Sequence, residues 1–334
     1  MHIFFCLLFI LFASMSYSQN KQWVRYSGTD GPGVGKHIVF VSGDEEYRSE
    51  EALPMLAQIL AKKHGFTCTV LFPIDPKTGM IDAMYLNNIP GLDQLDSADL
   101  MFMFIRFREL PDEQMKHIDQ YLQSGKPLIA LRTSTHGFNY KKDTGNAYAK
   151  YDFQSKVKDW EEGFGKKVLG ETWVDHHGEH GDEGTRGLID GVQQNAKHPI
   201  LNGVKDIWCA TDVYTVRKLP ADAEVLVYGQ STKGMKPFSP VNLDKSVMPV
   251  AWTRSFTTES GKKSKIFATT MGASIDLINE DLRRLLVNAC YWATGLEDKV
   301  PAKAEVKYIS EYKPTMFSTE LFKKGTYPSK YELK

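Results

Sequence analysis

The chain has 334 residues, with 41 basic and 41 acidic side chains and an isoelectric point near 7.1. This balance gives no reason to expect a nucleic acid or an anionic membrane as a partner. With 42% apolar and 25% charged residues, the composition is that of a globular protein with one large domain carrying insertions, or with two smaller domains.

Residues 1–18 have the pattern of a cleaved signal peptide. An apolar run over 3–13 is followed by small residues at Ser16 and Ser18, which predicts cleavage before Gln19. The run is too short for a comfortable membrane span. We therefore expect a periplasmic or secreted protein with no membrane span after signal cleavage.

The next part of the chain alternates between strand and helix patterns. Apolar runs predict strands at 36–43, 66–74, 98–107 and 127–131. Between them, the stretches 49–65 and 111–125 have the helical spacing of apolar side chains, and each closes on a glycine. The strand at 98–107 is apolar throughout and is therefore expected to be covered on both faces. This alternation predicts an α/β protein with a parallel sheet.

Residues 137–190 interrupt the alternation. They are rich in aromatic, glycine and charged residues, and they predict an insertion or lid in which most aromatic side chains form a small satellite core. Strand patterns resume at 206–216, 224–230, 248–256 and 265–272, before a last amphipathic helix at 280–294. The chain is thus divided into a signal peptide at 1–18, an α/β domain at 19–296 and a tail at 297–334, which either wraps around the domain or hangs free.

Three cysteines follow the predicted cleavage point. Cys68 lies in a strand pattern and Cys290 on a helix face, so these, with Cys209, are expected to be buried structural thiols. No Cys-x-x-Cys pair occurs in the sequence, which argues against a thiolate zinc site or a redox motif.

Polar side chains follow the ends of the predicted parallel strands. In open parallel sheets, ligands bind beyond these ends, where the strand order reverses. The strand ends carry the following candidates: Glu45, Glu46, Arg48, Arg106, Arg132, Ser134 and His136. We predict that the arginines and Ser134 bind substrate oxygens, and that His136, Glu45 and Glu46 are catalytic acids or bases. An acidic residue after the first strand should pair with an arginine, because a buried unpaired arginine is costly.

A second polar cluster, DHHGEHGD at 175–182, lies in the insertion. Its two glycines exclude the helical H-E-x-x-H metal motif. One interpretation is a polar lid with His177 as a catalytic residue. The substrate-binding residues would then include His176, His180, Asp212 and Tyr214. This interpretation predicts no cofactor and no metal, whereas the other is a loop site for zinc or another divalent ion.

Several segments resemble the ThuA-like (trehalose-utilisation) family. Among them are HIVFVSGDEEYRSEE, SGKPLIALRTSTHGF, HPILNGVKDIWCATDVY and MPVAWTRSF, and the similarity spans roughly 37–296. The resemblance implies a fold similar to class I glutamine amidotransferases, which is a flavodoxin-like, doubly wound and mostly parallel sheet. It also implies a role in the catabolism of carbohydrates, in particular of oxidised (keto) glycosides. The elbow cysteine of the amidotransferases is absent from LRTSTHG at 131–137, so that activity is not expected.

These observations leave three functions in view. The first is an exported isomerase or lyase that acts on a sugar or keto-glycoside by acid–base chemistry. The second is a non-catalytic sugar-binding protein that uses the same crevice. The third is a metal-dependent hydrolase built on 175–182. We expect a small-molecule carbohydrate as the partner, and the sequence leaves a homo-oligomer open.

Overall fold

The structure is a computed structural model that describes residues 21–140, 145–188, 197–319 and 321–333. The predicted signal peptide at 1–18 lies outside the described residues and stays a prediction. Within the described ranges, no helix combines the length and the apolar character needed to cross a membrane.

The described residues form the following strands: β1 (Trp23–Tyr26), β2 (His37–Gly43), β3 (Thr67–Leu71), β4 (Leu100–Ile105), β5 (Leu128–Leu131), β6 (His176–His177), β7 (Gly184–Leu188), β8 (Trp208–Cys209), β9 (Val213–Tyr214), β10 (Glu224–Thr232), β11 (Met248–Thr257) and β12 (Lys263–Thr269). The α-helices are α1 (Ser49–His64), α2 (Asp112–Gln123) and α3 (Glu280–Ala293). A 3₁₀ turn at Arg132–His136 follows β5 directly and carries several site residues.

The centre of the main sheet is a block of parallel strands in the order β3-β2-β4-β5-β12. Numbered along the chain, this order is 2-1-3-4-5, which is that of flavodoxin-like folds. Helices α1 and α3 pack on one face and α2 packs on the other, so the sheet is doubly wound. The predicted fold class is confirmed. Because the order reverses between β2 and β4, a ligand crevice is expected beyond their carboxyl ends.

Antiparallel strands extend this block at both edges. Strand β1 pairs with β3, while β11, β10, β7 and β8 continue the sheet from β12. The single strand predicted at 206–216 is wrong, because it breaks into β8 and β9. At the break, the main-chain N–H and the hydroxyl of Thr211 donate to the carboxylate of Asp276 at 3.1 and 2.7 Å. This kink turns Asp212 and β9 towards the crevice, where β9 pairs with β6 in a separate small sheet.

Residues 148–169 of the predicted insertion pack against the face of the sheet that carries α2. Tyr151, Trp160 and Phe164 join the large apolar cluster under α2, so they extend the main core instead of forming a satellite core. Gly165 lies so close to the turn after β5 that an added Cβ would be 2.0 Å from the carbonyl oxygen of Thr135. The insertion is therefore docked firmly beside the strand ends.

The tail wraps around the domain, which is one of the two predicted arrangements. The main-chain N–H of Thr315 donates to Glu51 at 2.8 Å, and the Ser310 hydroxyl donates to Gln58 at 2.6 Å. Both acceptors lie on α1, whose side chains are buried almost all round. A helix buried on every side needs a cover on its outer face, and here the tail supplies that cover.

Candidate functional site

Charged side chains line the crevice between the ends of β2 and β4. Glu45 lies 2.6 Å from Arg106 (Oε1 to Nη1) and 3.0 Å from Arg108 (Oε2 to Nη2). Arg106 also lies 3.2 Å from Glu46 (Nη2 to Oε2). The predicted pairing of an acidic residue with a strand-end arginine is confirmed. Because guanidinium groups hold both oxygens of the buried Glu45, its carboxylate balances the arginines and is not free to act as a base.

Asp44 fixes the turn that presents these glutamates. Its buried carboxylate accepts hydrogen bonds from the main-chain N–H groups of Glu46, at 2.7 Å, and of Tyr47. It also accepts from the hydroxyl of Thr133, which belongs to the turn after β5. Asp side chains often hold turns by accepting hydrogen bonds from nearby main-chain N–H groups. Here the buried carboxylate of Asp44 also joins the two loops that frame the crevice.

Three of the predicted site residues turn away from the crevice. The Arg48 guanidinium donates to the main-chain oxygens of Glu45 and of Ser318 in the tail, so it does not join Arg106. The Ser134 hydroxyl donates to Met103 O at 3.1 Å and anchors the turn on β4. His177 Nε2 lies 2.8 Å from Ser246 O. Successive side chains of a strand point to opposite sides, and because His176 points towards the crevice, His177 points away from it.

Arg132 lies under the crevice floor and is fully buried. Its Nη1 donates to Asp212 O at 2.6 Å and to Thr270 O at 3.3 Å, while Nη2 lies 3.3 Å from Asp212 Oδ1. The guanidinium also stacks on the Tyr47 ring, with its carbon 3.7 Å from the ring centroid. A substrate-binding role was predicted for Arg132. The structure instead gives it the role of holding Asp212, since no part of its side chain is exposed to a ligand.

Asp212 is the hub of the polar cluster. Its buried carboxylate accepts from His176 Nδ1 through Oδ2, and His180 Nδ1 lies 3.3 Å from Oδ1. His180 Nε2 lies 3.4 Å from Glu46 Oε1, which connects this hub to the strand ends. The pairing of β6 with β9 sets His176 opposite Tyr214 and so creates the arrangement. The predicted site residues His176, His180, Glu46 and Asp212 are thus brought together.

The charges of the hub are mutually stabilising. Burial would raise the pKa of Asp212, but hydrogen bonds from His176 and His180 outweigh it and hold that pKa below its ordinary value. The hydrogen bonds that His180 donates to Asp212 and to Glu46 raise the pKa of His180 to about 9. Positive charge is therefore favoured at the mouth of the crevice, beside Asp212.

His136 lies deeper, in an aromatic surround. Its ring packs against Phe107, Trp173 and Tyr214, with centroids 5.1 to 5.4 Å away. Burial holds the pKa of His136 well below its ordinary value, and the charges of Arg106 and Arg132 lower it further. Its Nδ1 lies 3.2 Å from the Thr135 hydroxyl. Burial and the neighbouring guanidinium groups thus favour the neutral form of the His136 imidazole.

A cleft of about 560 Å³ adjoins this aromatic surround. Phe153, Thr172 and Trp173 form part of its wall, and both aromatic rings also contact His136. The volume falls within the range of about 300–1,000 Å³ that is usual for small-molecule pockets. The cleft has the size to receive a sugar ring, and its wall combines two aromatic rings with polar side chains such as Gln154 and Glu162.

Sequence reasoning missed several residues of the site. Thr133 and Tyr47 lie in the same loops as predicted site residues. Their position in these loops was the signal in the sequence that could have indicated them. Phe317 comes from the tail and packs on His180, with ring centroids 4.8 Å apart. No periodicity in the tail could have indicated it, because the contact depends on how the tail wraps around α1.

The thiols lie outside this site. Cys68, Cys209 and Cys290 are free and fully buried, as predicted. Burial raises the pKa of each of them above the ordinary thiol value. None of the three is a reactive thiolate.

The fold and the site define an α/β protein with a charged crevice at the switch point of a flavodoxin-like sheet. The sequence pattern of the ThuA family, described as trehalose utilisation, matches residues 37–293. The chain belongs to this family, which is related to carbohydrate metabolism. The predicted family membership is confirmed.

Two solved structures that are described as ThuA-like align with this chain. A ThuA-like protein from Parabacteroides merdae is 14% identical, with a TM-score of 0.49, and the match covers 90% of this chain and 99% of that one. A ThuA-like protein from Bacteroides uniformis is 15% identical, with a TM-score of 0.46, and the match covers 79% of this chain and 93% of that one. No curated protein matches the chain.

Proposed function

We propose that the protein is an enzyme that acts on an oxidised (keto) sugar or glycoside by acid–base chemistry in this crevice. The family supports a carbohydrate substrate. The observation that carries the proposal is the position of a neutral imidazole, His136, in the same aromatic surround as the hub formed by His176, His180 and Asp212. A base and an electropositive group on two sides of one crevice are what proton abstraction next to a carbonyl requires.

The chemistry follows from the acidity of a C–H bond beside a ketone. His136 Nε2 takes that proton, and negative charge develops on the carbonyl oxygen. Hydrogen bonds from the second ring nitrogen of His176 and from Arg106 stabilise this oxygen. In isomerisation, His136 returns the proton to the former carbonyl carbon, while the hydroxyl proton of the neighbouring carbon moves to the enolate oxygen. In elimination, the ketone re-forms, a double bond forms between the α- and β-carbons, and the glycosidic C–O bond at the β-carbon breaks. The departing oxygen then takes the proton that His136 removed.

Aromatic walls support the choice of a sugar. The rings of Phe107, Phe153 and Trp173 surround His136, and the last two border the adjoining cleft. The axial C–H faces of a pyranose are apolar and stack on such rings. Arg106, whose charge is compensated by Glu45 and Glu46, would orient its hydroxyl groups.

The test compares oxidised and unoxidised glycosides as substrates of the purified protein. We expect turnover of a keto-disaccharide and none of its unoxidised parent, because only the ketone acidifies a C–H bond. His136→Gln should lower kcat by about 10²–10⁴-fold with an unchanged unfolding midpoint. His117→Gln is the matched control, since His117 pairs with Asp96 near the surface, away from the crevice.

Two results would count against this function. Equal turnover of the unoxidised glycoside would remove the role of the ketone. Binding of the keto-disaccharide without any turnover would favour the non-catalytic sugar-binding alternative.

We also propose that the protein works outside the cytoplasm, after removal of 1–18. The motivation is the apolar run followed by Ser16 and Ser18. N-terminal sequencing of protein from the native source should begin at or near Gln19. Recovery of a chain with an intact Met1 would contradict export by cleavage.

A further inference from the structure

Three side chains of the hub have the arrangement of metal ligands. One ligand atom from each of His176, His180 and Asp212 lies within 4.8 Å of the others. The separation of 3.3 Å between His180 Nδ1 and Asp212 Oδ1 matches the edge of a tetrahedron, which is about 3.3 Å for metal–nitrogen bonds of about 2.0–2.1 Å. Small rotations of these side chains would place one ion at a bonding distance from all three.

We infer that His176, His180 and Asp212 bind a divalent transition-metal ion. Two imidazole nitrogens and one carboxylate suit Zn²⁺, Fe²⁺, Co²⁺ or Mn²⁺, whereas Mg²⁺ and Ca²⁺ prefer oxygen ligands. Three protein ligands leave at least one coordination position open. Sites with an open position are typical of catalytic metals, since structural zinc is enclosed by four protein ligands.

The surroundings of the ligands support this assignment. His180 turns its other ring nitrogen, Nε2, to Glu46 at 3.4 Å, which is the carboxylate–histidine pairing common behind metal ligands. The Asp212 carboxylate is held from behind by Arg132, at 3.3 Å from Nη2. Both ligands therefore have partners that fix their orientation.

The loop that carries the histidines is shaped for the same purpose. Gly178 and Gly181 have φ values of 121° and 88°, which favour glycine, and they flank the turn that brings His180 back towards His176. An added Cβ at Gly178 would lie 3.1 Å from the Cβ of Asp212. The close approach of loop and carboxylate thus depends on a glycine at this position.

The balance of charge around the hub also suits a cation. The carboxylates of Glu45, Glu46 and Asp212 pair with the guanidinium groups of Arg106, Arg108 and Arg132. The buried carboxylate of Asp44 adds a fourth negative charge beside them. These groups leave a net negative charge if the histidines are neutral. Either protonated imidazoles or a divalent ion can compensate it, and an ion would replace the hydrogen bond from His176 Nδ1 to Asp212.

The consequence for the reaction rests on the proposed function. The ion would lie beside the aromatic surround of His136, with its open position towards the crevice. There it would accept the carbonyl oxygen of a keto-sugar as a ligand and stabilise the charge that develops when His136 takes the proton. Metal binding itself can be measured without any substrate.

The test uses the mature chain, stripped with a chelator and titrated with Zn²⁺, Mn²⁺ or Co²⁺ by calorimetry, with elemental analysis of the loaded protein. We expect one ion per chain for at least one of these metals. His176→Gln and His180→Gln should each weaken binding by about 100-fold or more. His177→Gln is the matched control, because it removes a histidine of the same segment that points away, and its affinity should stay within about threefold of the parent.

Equal metal binding by the parent and the His176→Gln/His180→Gln double variant would overturn the site, as would an equal loss in His177→Gln. Binding at this site without turnover of keto-glycosides would leave the metal site standing and remove the proposed function. Undiminished turnover by protein shown to be free of metal would leave the proposed function standing and would remove the ion from the reaction.

Discussion

At the scale of single residues, the buried pair of Arg132 and Asp212 decides the geometry of the site. Both side chains are fully inaccessible to solvent, and Arg132 stacks between the rings of Tyr47 and Tyr214. Arg132 has a φ of 43°, a left-handed conformation that is unusual for a non-glycine residue. Its guanidinium therefore turns back under the crevice to hold Asp212, which in turn holds two histidines.

Removal of Arg132 should be strongly destabilising. Arg132→Ala leaves Asp212 buried without its ionic partner, and losses of about 3–5 kcal/mol in the free energy of unfolding are typical of such changes. Arg132→Lys keeps the charge but loses the fork, so we expect a smaller loss. Urea denaturation measures both. Arg186→Ala, which breaks a surface pair with Asp206, is the control and should cost no more than about 1 kcal/mol. An Arg132→Ala variant as stable as this control would contradict the argument.

At the scale of elements, the start of α1 carries an unusual side chain. Glu50 is buried, and neither of its carboxylate oxygens has a hydrogen-bond partner among the described residues. Burial raises the pKa of Glu50 to about 8, although the nearby charge of Arg48 opposes the shift. The next residue, Glu51, is equally buried but accepts hydrogen bonds from Thr315 and Ser274. The two neighbours should therefore respond differently to loss of charge.

Glu50→Gln should stabilise the protein in a pH-dependent way. Glu50 has a higher pKa in the folded than in the unfolded chain, so its contribution to stability is fully present below the unfolded pKa of about 4.3. This contribution is lost as the pH rises towards 8. We expect a gain of about 1–3 kcal/mol at pH 8 that vanishes near pH 4. Urea denaturation at several pH values measures the difference. Glu51→Gln should show no such gain, and a pH-independent Glu50→Gln effect would refute the explanation.

The parallel half of the sheet could be predicted from the sequence because its signals are local. Strands such as β2 and β4 are continuous apolar runs, and the helices between them have clear spacing and glycine ends. The edge that ends in β7 and β8 could not be predicted, since β7 is a Gly-containing segment recruited from the insertion by pairing with β10. That pairing depends on contacts distant in sequence.

Prediction of the site was also limited by contacts that are distant in sequence. The strand ends predicted that Glu46, Arg106 and His136 lie near one another, and they do, because parallel strands gather their trailing loops at one edge. The direction in which a loop side chain points could not be predicted. Arg48 and Arg132 both have positive φ values, although neither is a glycine or asparagine that would indicate such a conformation in the sequence. Both side chains point away from the crevice.

At the scale of the whole molecule, the tail links the outer face of α1 to the site. Tyr312 donates from its hydroxyl to Ser274 O at 2.7 Å, and Ser318 N–H donates to Glu46 O at 2.9 Å. Between them, Phe317 packs on the rings of Tyr47 and His180. The tail therefore covers α1 and also forms one side of the crevice mouth.

Removal of the tail should affect stability and the site separately. Deletion of 308–334 exposes α1 and removes the hydrogen bonds to Glu51 and Gln58, so we expect a loss of about 3–5 kcal/mol in the free energy of unfolding.

Phe317→Ala leaves those bonds in place and should cost only about 1–2 kcal/mol, because the ring is half-buried. It should still weaken metal binding or keto-glycoside turnover, since His180 loses the ring that packs against it. Urea denaturation and calorimetry distinguish the two effects. A deletion variant with the stability of the parent would show that the tail is not part of the folded domain, and a Phe317→Ala variant with unchanged stability and unchanged site properties would remove the tail from the crevice.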